Sequence, residues 1–323
     1  MYFPVANIEC NPFIPPLAAF IVSFFTSMGG ISGAFLLLPF QMSFLGYVNP
    51  SVSATNQFFN VVATPSGVWR FAREGRMVWP LAAVVAMGTM PGVFFGALIR
   101  VNFLPDPTTF KLFVACVLLY IGGRMLRDML RQRRPSPAPL YSSTVNSAGH
   151  TIFSLNTAQA KPKASSAFPQ VRLVRRNWQE IVYSFDGAEY SFSTRGVFAL
   201  TFIVGIIGGV YGIGGGAIIS PFLVSFFALP IHTVAGAALL ATFLTSSTAV
   251  IFYMLIAPLY PAMSISPDFA LGLLLGVGGM AGMYCGARLQ KYVPARLIKV
   301  LLLLVLLGTA WRYGSASLLA LLR

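Results

Sequence analysis

The sequence predicts an all-α, polytopic membrane protein made of two repeated four-segment halves, and three observations support this fold class. Of the 323 residues, 56% are hydrophobic and only 9% are charged, whereas soluble domains carry about a quarter charged residues. Several apolar runs reach the roughly 20 residues that span a bilayer as a helix, without the short alternating segments of a barrel. Motifs of the first half also recur in the second half.

Charge and cysteine content narrow the class further. The net charge is +14, and the basic residues lie mainly in loops and at helix ends. This distribution is typical of positive-inside topology rather than of nucleic-acid binding. Cys10, Cys116 and Cys285 lack the spacing of a metal or redox pair, so free thiols are expected. Residues 1–16 hold no lysine or arginine, so no signal-peptide n-region is predicted and the first apolar segment is expected to remain.

The first transmembrane repeat is assigned to residues 1–127. Its first apolar segment, residues 13–47, would be roughly 50 Å long as a straight helix, against a hydrocarbon core of roughly 30 Å. The segment must therefore bend or turn back, and the glycines of residues 29–33 together with Pro39 supply the break. Further segments are predicted at residues 50–69, 77–99 and 107–124.

Residues 128–195 form the predicted linker, which is basic and rich in Pro and Ser, as in solvated flexible segments. Its end, residues 178–192, contains two aromatic-rich runs around Asp186-Gly187, a dipeptide suited to a two-residue β-hairpin turn. The hairpin is expected to lie against the membrane surface or to cap the halves.

The second transmembrane repeat, residues 196–323, is predicted to hold segments at 196–229, 233–256, 269–287 and 294–313. Residues 30–40 align without gaps to residues 212–222, and matching glycine, isoleucine, proline and phenylalanine positions coincide. Gly88, Gly92 and Gly96 match Gly278, Gly282 and Gly286. A duplicated four-segment unit with glycine-broken segments 1 and 5 explains these matches.

The orientation of the two copies depends on what the broken segments do. If every segment crosses once, the positive-inside rule does not decide the topology. If segments 1 and 5 return to the side from which they came, the basic loops favour inverted repeats. A re-entrant hairpin and two short spans are equally compatible with the second case. The linker is cytoplasmic in either version of it.

The glycine runs are the candidate substrate site. Irregular backbone within a bilayer survives where it is buried or lines a wet cavity, and N–H groups at a helix start can hold an anion. We therefore expect an anion cradle in the second half, with a counterpart in the first half; its residues are Gly212, Gly214, Gly215, Gly216, Gly30, Ser32 and Gly33. The alternative is a packing hinge. Packing is also the interpretation of the Gly88 and Gly278 ladders.

Polar side chains within the apolar segments are the second group of candidates. Asn56 and Gln57 in segment 2, with Thr242 and Thr245 in segment 6, could donate hydrogen bonds to anion oxygens or could only bridge helices. His232 titrates near neutral pH and is a candidate for proton coupling; the alternative is an interfacial helix cap.

The eight acidic residues all lie outside the predicted mid-membrane positions. Carboxylate proton relays, metal sites and embedded enzyme chemistry are therefore not expected, and no cofactor is predicted. No P-loop motif for ATP is present. Arg100 and Arg288, with Lys111 and Lys299, end or begin apolar segments. They are expected to be headgroup anchors, with an anion vestibule as the alternative.

The run Gly212-Ile213-Gly214-Gly215-Gly216 followed by Pro221, repeated in weaker form with Ser32 and Ala34 in place of glycines, resembles the TauE/SafE-type sulfite exporter family. The resemblance covers both halves. It implies secondary transport of small sulfur-containing or organic anions, such as sulfite, sulfoacetate or other sulfonates, across a bacterial-type inner membrane. An anion channel is the main alternative. The implied partners are the anionic substrate and the lipid bilayer, without nucleic acid. Export or uptake stays open, and a homo-oligomer is compatible with the sequence.

Overall fold

The computed structural model describes residues 1–28, 32–131, 143–145, 151–153, 170–177, 179–289 and 295–321. Within these residues the chain is mainly helical. The helices are α1 (Ile14–Met28), α2 (Ala34–Ser43), α3 (Ser51–Arg73), α4 (Trp79–Asn102), α5 (Pro107–Arg131), α6 (Thr194–Tyr211), α7 (Ile219–Phe226), α8 (Ile231–Ile256), α9 (Phe269–Leu289) and α10 (Ala295–Leu321). Short 3-10 turns lie at Gly215–Ile218 and Ala257–Leu259.

Five of the described helices are long and apolar enough to cross a membrane. They lie in α4, α5, α6, α8 and α9, and α1 and α2 are shorter apolar helices. The sequence-based fold class, an all-α polytopic membrane protein, is confirmed.

The two glycine ladders pack helix pairs that join the halves. Gly88, Gly92 and Gly96 of α4 lie against the backbone of α6, beginning at Phe198 and reaching Val210. In the same way Gly278, Gly282 and Gly286 of α9 lie against the carbonyls of Pro16, Phe20 and Phe24 of α1. Residues lacking a Cβ allow two membrane helices to approach closely. The packing interpretation of the ladders is therefore confirmed, and within each pair the two helices run parallel.

The central helices of the two halves run antiparallel. Gly67 of α3 faces Leu239 of α8, and Gly236 of α8 faces Phe71. The outer pair shows the same reversal, because Gly122 of α5 lies beside Leu307 of α10 while Gly314 lies beside Ala115. Helices α3 and α8 therefore point in opposite directions, and so do α5 and α10.

The helix directions also require the chain to turn back after α1 and after α6. Helix α9 is parallel to α1 and also to α3, since Gly272 and Gly276 of α9 lie against Phe58 and Val62 in the same order. Helices α1 and α3 thus share one direction, so residues between them must return to the starting side. The end of α6 at Gly212 lies beside Ser53 near the start of α3. Helix α6 therefore ends on the side where α3 begins, so it is antiparallel to α3 and parallel to α8. Helix α7 lies on the return path between α6 and α8.

A small sheet precedes the second half. Strand β5 (Arg172–Arg176) pairs with β6 (Glu180–Phe185), which pairs with β7 (Ala188–Ser193), all antiparallel. The turn between β6 and β7 is Asp186-Gly187, in which both residues have positive φ, at 53° and 76°. The Tyr183 hydroxyl bonds to Thr233 Oγ1 at 2.8 Å and ties the sheet to the first turn of α8. Burial raises the pKa of Tyr183 to about 12, an effect that this hydrogen bond partly offsets.

The remaining strands are short. Strands β1 (Tyr2–Phe3) and β2 (Ile8–Glu9) pair at the N-terminus, and β3 (Ser143–Val145) pairs with β4 (Thr151–Phe153). The N-terminal hairpin packs on the helix ends, because the Ala6 N–H donates to the buried carboxylate of Asp268 at 3.2 Å. The other oxygen of Asp268 accepts from the Leu271 N–H at 3.0 Å and caps α9.

Candidate functional site

The break in the second half begins where α6 ends. Gly212 adopts the left-handed conformation, with φ 85° and ψ 28°, and the N–H groups of Gly212 and Ile213 both donate to the Gly208 carbonyl. Gly214 also has a positive φ of 73°, and the 3-10 turn starts at the next residue. Non-glycine residues pay roughly 1–2 kcal/mol for a left-handed backbone. Glycines at these two positions therefore let the chain leave one helix and begin the next within three residues.

The 3-10 turn begins inside the protein. The first N–H groups of such a turn have no acceptor within it. Gly214, Gly215 and Gly216 are all buried. Unsatisfied buried N–H groups are rare in proteins, and an anionic ligand is one way to satisfy them.

Gln57 supplies a side-chain donor at the same place. Its Oε1 accepts from the Ser246 hydroxyl at 2.7 Å, while its Nε2 is buried and has no hydrogen-bond partner in the part of the chain that the structure describes. A Cβ added to Gly214 would lie 2.7 Å from Ser246 Oγ, 3.2 Å from Thr242 Cγ2 and 3.4 Å from Gln57 Oε1. The structure therefore brings Gly214, Gln57, Thr242 and Ser246 together.

Asn56 and Asn60 hold the two breaks side by side. The Asn56 Nδ2 donates to the Ala34 carbonyl and to the Gly212 carbonyl, each at 2.9 Å. The Asn60 Nδ2 donates to the Ile213 carbonyl at 2.8 Å, and its Oδ1 accepts from the Ser32 hydroxyl at 2.5 Å. Both amide protons of Asn56 are thus committed within the protein. Asn56 acts as a bridge between helices here, one of the two expectations for it.

The first-half break differs from the second. Gly30 lies outside the described residues. Ser32 bonds Asn60 and also accepts from the Ala34 N–H at 3.3 Å. Gly33 has an ordinary helical backbone, with φ −64°, and a Cβ there would lie 2.7 Å from Ser23 Oγ. Ser23 Oγ is buried without a hydrogen-bond partner among the described groups.

The threonines and the last two glycines have packing contacts of their own. The Thr242 hydroxyl donates to the Ala238 carbonyl at 2.8 Å, and the Thr245 hydroxyl donates to the Ala241 carbonyl, so both protons stay within α8. A Cβ on Gly215 would meet Thr89, and one on Gly216 would meet the Ala238 carbonyl. A leucine at Gly215 would consequently disturb the packing against α4 as well as any ligand. The side chain of His232 lies outside the described part of the chain, so its coupling role stays a prediction.

Arg100 departs from the anchor expectation. Its side chain is 0% exposed at the end of α4, and the guanidinium lies over the Phe110 ring with Cζ 3.7 Å from the ring centroid. Arg288, in contrast, is exposed at the end of α9. The headgroup-anchor interpretation of Arg100 is therefore wrong, because the apolar ends of α4 and α5 close over the side chain.

Acidic and metal-binding groups are scarce around the break. Within the described residues no group of three His, Cys, Asp or Glu side chains could hold a metal ion. The three ion pairs formed by the described side chains are Arg70–Glu74, Arg76–Glu74 and Arg175–Glu180, all away from the break. Amide and hydroxyl groups thus make up the described polar surface next to Gly214.

An apolar cavity of about 570 Å³ lies elsewhere, between α1, α2 and α10. Its lining includes Val22, Phe40, Phe44 and Leu304, with Arg312 as its one charged residue. It shares no residue with the Gly214 cluster, so we do not assign it to the same site.

Two partners of the break were not identified from the sequence. Gln41 Nε2 donates to Asn56 Oδ1 at 3.1 Å, and the Tyr211 hydroxyl donates to the Phe35 carbonyl at 2.8 Å. The signal for Gln41 is a single amide in an otherwise apolar run. Tyr211 carries no comparable signal, because a tyrosine in a membrane segment is common.

Comparison with known proteins agrees with this architecture. Residues 16–313 match the family model described as Sulfite exporter TauE/SafE. The chain is 26% identical over 118 residues to the probable membrane transporter protein YunE of Bacillus subtilis (strain 168), covering 36% of this chain and 41% of that protein. It is 30% identical over 105 residues to the probable membrane transporter protein YdhB of the same organism, covering 32% and 40%.

The alignments span about two fifths of the length of these curated relatives. No solved structure matches the chain. The family model nevertheless covers both broken segments and all the long apolar helices. The chain is thus a multi-pass membrane protein that belongs to the sulfite exporter TauE/SafE family of membrane transporters.

Proposed function

We propose that the protein is a secondary transporter of small sulfur-containing or organic anions, such as sulfite, sulfoacetate or other sulfonates. The observation that carries the proposal is the Nε2 of Gln57, which is buried without a hydrogen-bond partner among the described groups, on a side chain that reaches Gly214. A buried donor without a partner costs roughly 1–3 kcal/mol. An oxyanion that accepts from this amide and from the glycine N–H groups would remove that cost.

The chemistry of the cluster favours an anion with several acceptor oxygens. Gln57 offers an N–H donor, and the backbone of Gly214, Gly215 and Gly216 offers others. The hydroxyls of Thr242 and Ser246 already donate within the protein. A sulfite or sulfonate group has three oxygens that can accept hydrogen bonds from these N–H groups.

The helix directions support alternating access. Antiparallel packing of α3 on α8 and of α5 on α10 is the arrangement expected of two halves related by an axis in the membrane plane. Under this proposal the chain turns back at both breaks, the halves are inverted repeats, and the linker of residues 128–195 lies in the cytoplasm. An inverted pair can exchange its two conformations and so open the site to either side.

The test is counterflow of radiolabelled sulfite in proteoliposomes that contain the purified protein. Gln57→Leu removes the donor but keeps a side chain of similar length, and we expect the KM for sulfite to rise about 10- to 100-fold, since a hydrogen bond to a charged group contributes roughly 1.5–3 kcal/mol. Gln57→Glu places a carboxylate there and should abolish exchange by repulsion. The outcome against the proposal is exchange by Gln57→Leu at the native rate and KM.

The matched control is Ser247→Ala, at the residue that follows Ser246 on α8. The Ser247 hydroxyl donates only to the Phe243 carbonyl of its own helix, at 2.8 Å. This variant should retain native exchange. A flux that does not saturate and carries current would instead identify an anion channel.

A further inference from the structure

We propose that Arg100 and Tyr253 form a second anion site, which Ser53 joins to the Gly212 break on the side where α3 begins. The inference deepens the proposed function, because it adds a charged station beside the Gln57 cluster. The ligand class is a small oxyanion such as sulfite, sulfate or a short sulfonate.

The guanidinium of Arg100 is buried with only part of its donors in use. Its Nε donates to Ser53 Oγ at 3.2 Å, and its Nη1 donates to the Leu104 carbonyl. Its Nη2 is buried and has no acceptor among the described groups. Phe110 covers one face of the guanidinium plane. The free N–H groups therefore lie at the edge of the guanidinium, where oxyanions bind Arg.

The positive charge has no balancing carboxylate. Ion pairs in the described part of the chain involve other arginines. A buried charge without a counter-charge is strongly unfavourable, whereas a bound anion compensates it. Tyr253 of α8 lies next to this group, because it packs in one buried cluster with Ala54, the neighbour of Ser53, and with Ala97 and Val101 of the α4 turn that carries Arg100. The Tyr253 hydroxyl is itself buried and unpartnered within the described residues.

Ser53 connects this group to the break. The Ser53 hydroxyl donates to the Val210 carbonyl at 3.5 Å, in the last turn of α6. The backbone of Ser53 also touches Gly212, since a Cβ on Gly212 would lie 2.5 Å from Ser53 Cα. Ser53 therefore contacts both Arg100 and Gly212, the first glycine of the break. Gln57 lies one helical turn further along α3.

The competing explanation gives Arg100 a structural role only. Its bond to the Leu104 carbonyl fixes the loop after α4, and its bond to Ser53 joins α4 to α3. That role accounts for Nε and Nη1. It leaves Nη2 and the Tyr253 hydroxyl unexplained, and these two groups are the ones that an anion would use.

The test uses the purified full-length chain in detergent and follows thermal unfolding against sodium sulfite, with sodium gluconate at equal ionic strength as reference. A ligand of the folded state raises the unfolding temperature by an amount that grows with the logarithm of its concentration divided by its Kd. We expect Arg100→Gln to weaken the apparent sulfite affinity at least about tenfold, because a charge-assisted bond is lost. Arg288→Gln, the same change at the exposed end of α9, should leave the sulfite affinity unchanged.

Tyr253→Phe removes only a hydroxyl that has no hydrogen-bond partner among the described groups, so this variant should fold even if Arg100→Gln does not. We expect it to weaken sulfite binding about 10- to 100-fold, since a hydrogen bond to a charged group contributes roughly 1.5–3 kcal/mol. Native sulfite affinity in Tyr253→Phe, or a lower unfolding temperature with an unchanged sulfite-dependent rise in Arg100→Gln, would overturn the proposal.

Gln57→Leu separates this inference from the proposed transport site. If the Arg100 site exists, Gln57→Leu retains a sulfite-dependent rise that is lost when Arg100→Gln is added. If only the Gln57 site exists, Gln57→Leu alone abolishes the sulfite-dependent rise of the unfolding temperature, and Arg100→Gln leaves that rise unchanged. A normal exchange rate in Gln57→Leu with lost binding in Arg100→Gln would refute the proposed cluster at Gly214 and keep the second site.

Discussion

Replacing Asn56 by alanine tests whether the two breaks are held together by one side chain. Asn56 is 0% exposed and makes three hydrogen bonds, to the Ala34 and Gly212 carbonyls and from Gln41 Nε2. Hydrogen bonds between membrane helices contribute about 0.6 kcal/mol on average and up to about 1.7 kcal/mol. Loss of three such bonds should therefore lower the free energy of unfolding by roughly 2–5 kcal/mol.

The free energy of unfolding can be measured in mixed micelles by raising the mole fraction of a denaturing detergent and following far-UV circular dichroism. Thr242→Val is the matched control on α8, because the Thr242 hydroxyl bonds only the Ala238 carbonyl of its own helix. The control should cost less than about 1 kcal/mol, since surrounding packing is kept. Asn56→Asp should be more destabilising than Asn56→Ala at pH 7, because a carboxylate would face two carbonyl oxygens.

An Asn56→Ala variant within about 0.5 kcal/mol of the native protein would refute the reasoning, since that is less than one average interhelical bond. Asn60 shares the network, so the double variant should cost less than the sum of the single costs. A strictly additive pair would show that the two amides act independently.

Two further predictions concern packing and pH. Gly92→Ala should destabilise the protein by about 1–3 kcal/mol, because its Cβ would lie 2.5 Å from the Phe202 carbonyl of α6, whereas Gly123→Ala, with nothing within 4 Å, should be neutral or slightly stabilising; equal effects in the same detergent titration would contradict close α4–α6 packing. Burial holds the pKa of Tyr183 at about 12, above its usual value of 10, so its stabilising contribution is complete below pH 10 and is lost as the pH rises toward 12. The unfolding temperature of the native protein should therefore fall more steeply than that of Tyr183→Phe in this window, and parallel curves would show that the tyrosine does not hold the sheet on α8.

Much of the fold could be predicted because long apolar runs and glycine breaks are local signals. The start of α3 next to Pro50 and the turn at Asp186-Gly187 follow from residue types that restrict φ. The extra strand β5 was not predicted. Its sequence, Arg-Leu-Val-Arg-Arg, has too little alternation to stand out, and it forms by pairing with β6.

The site was harder to predict because its function depends on which hydrogen bonds are already made. Asn56 and Gln57 are adjacent amides on one helix, and the sequence treats them alike. The structure commits both donors of Asn56 to carbonyls and leaves the donor of Gln57 unpartnered. Arg100 ends an apolar segment, as Arg288 does, and only the position of Phe110 decides that it is buried.

Anchoring of both breaks by α3 has a mechanical consequence. Asn56 and Asn60 lie on successive turns of α3, and each of them forms hydrogen bonds with residues of both breaks. If the gapless alignment of residues 30–40 with 212–222 is continued, the corresponding positions of α8 are Ala238 and Thr242. Neither residue has an amide side chain that could form such bonds. A movement of α3 would consequently carry both breaks with it. Substrate passage is then expected to involve a movement of whole helices rather than an independent movement of either break.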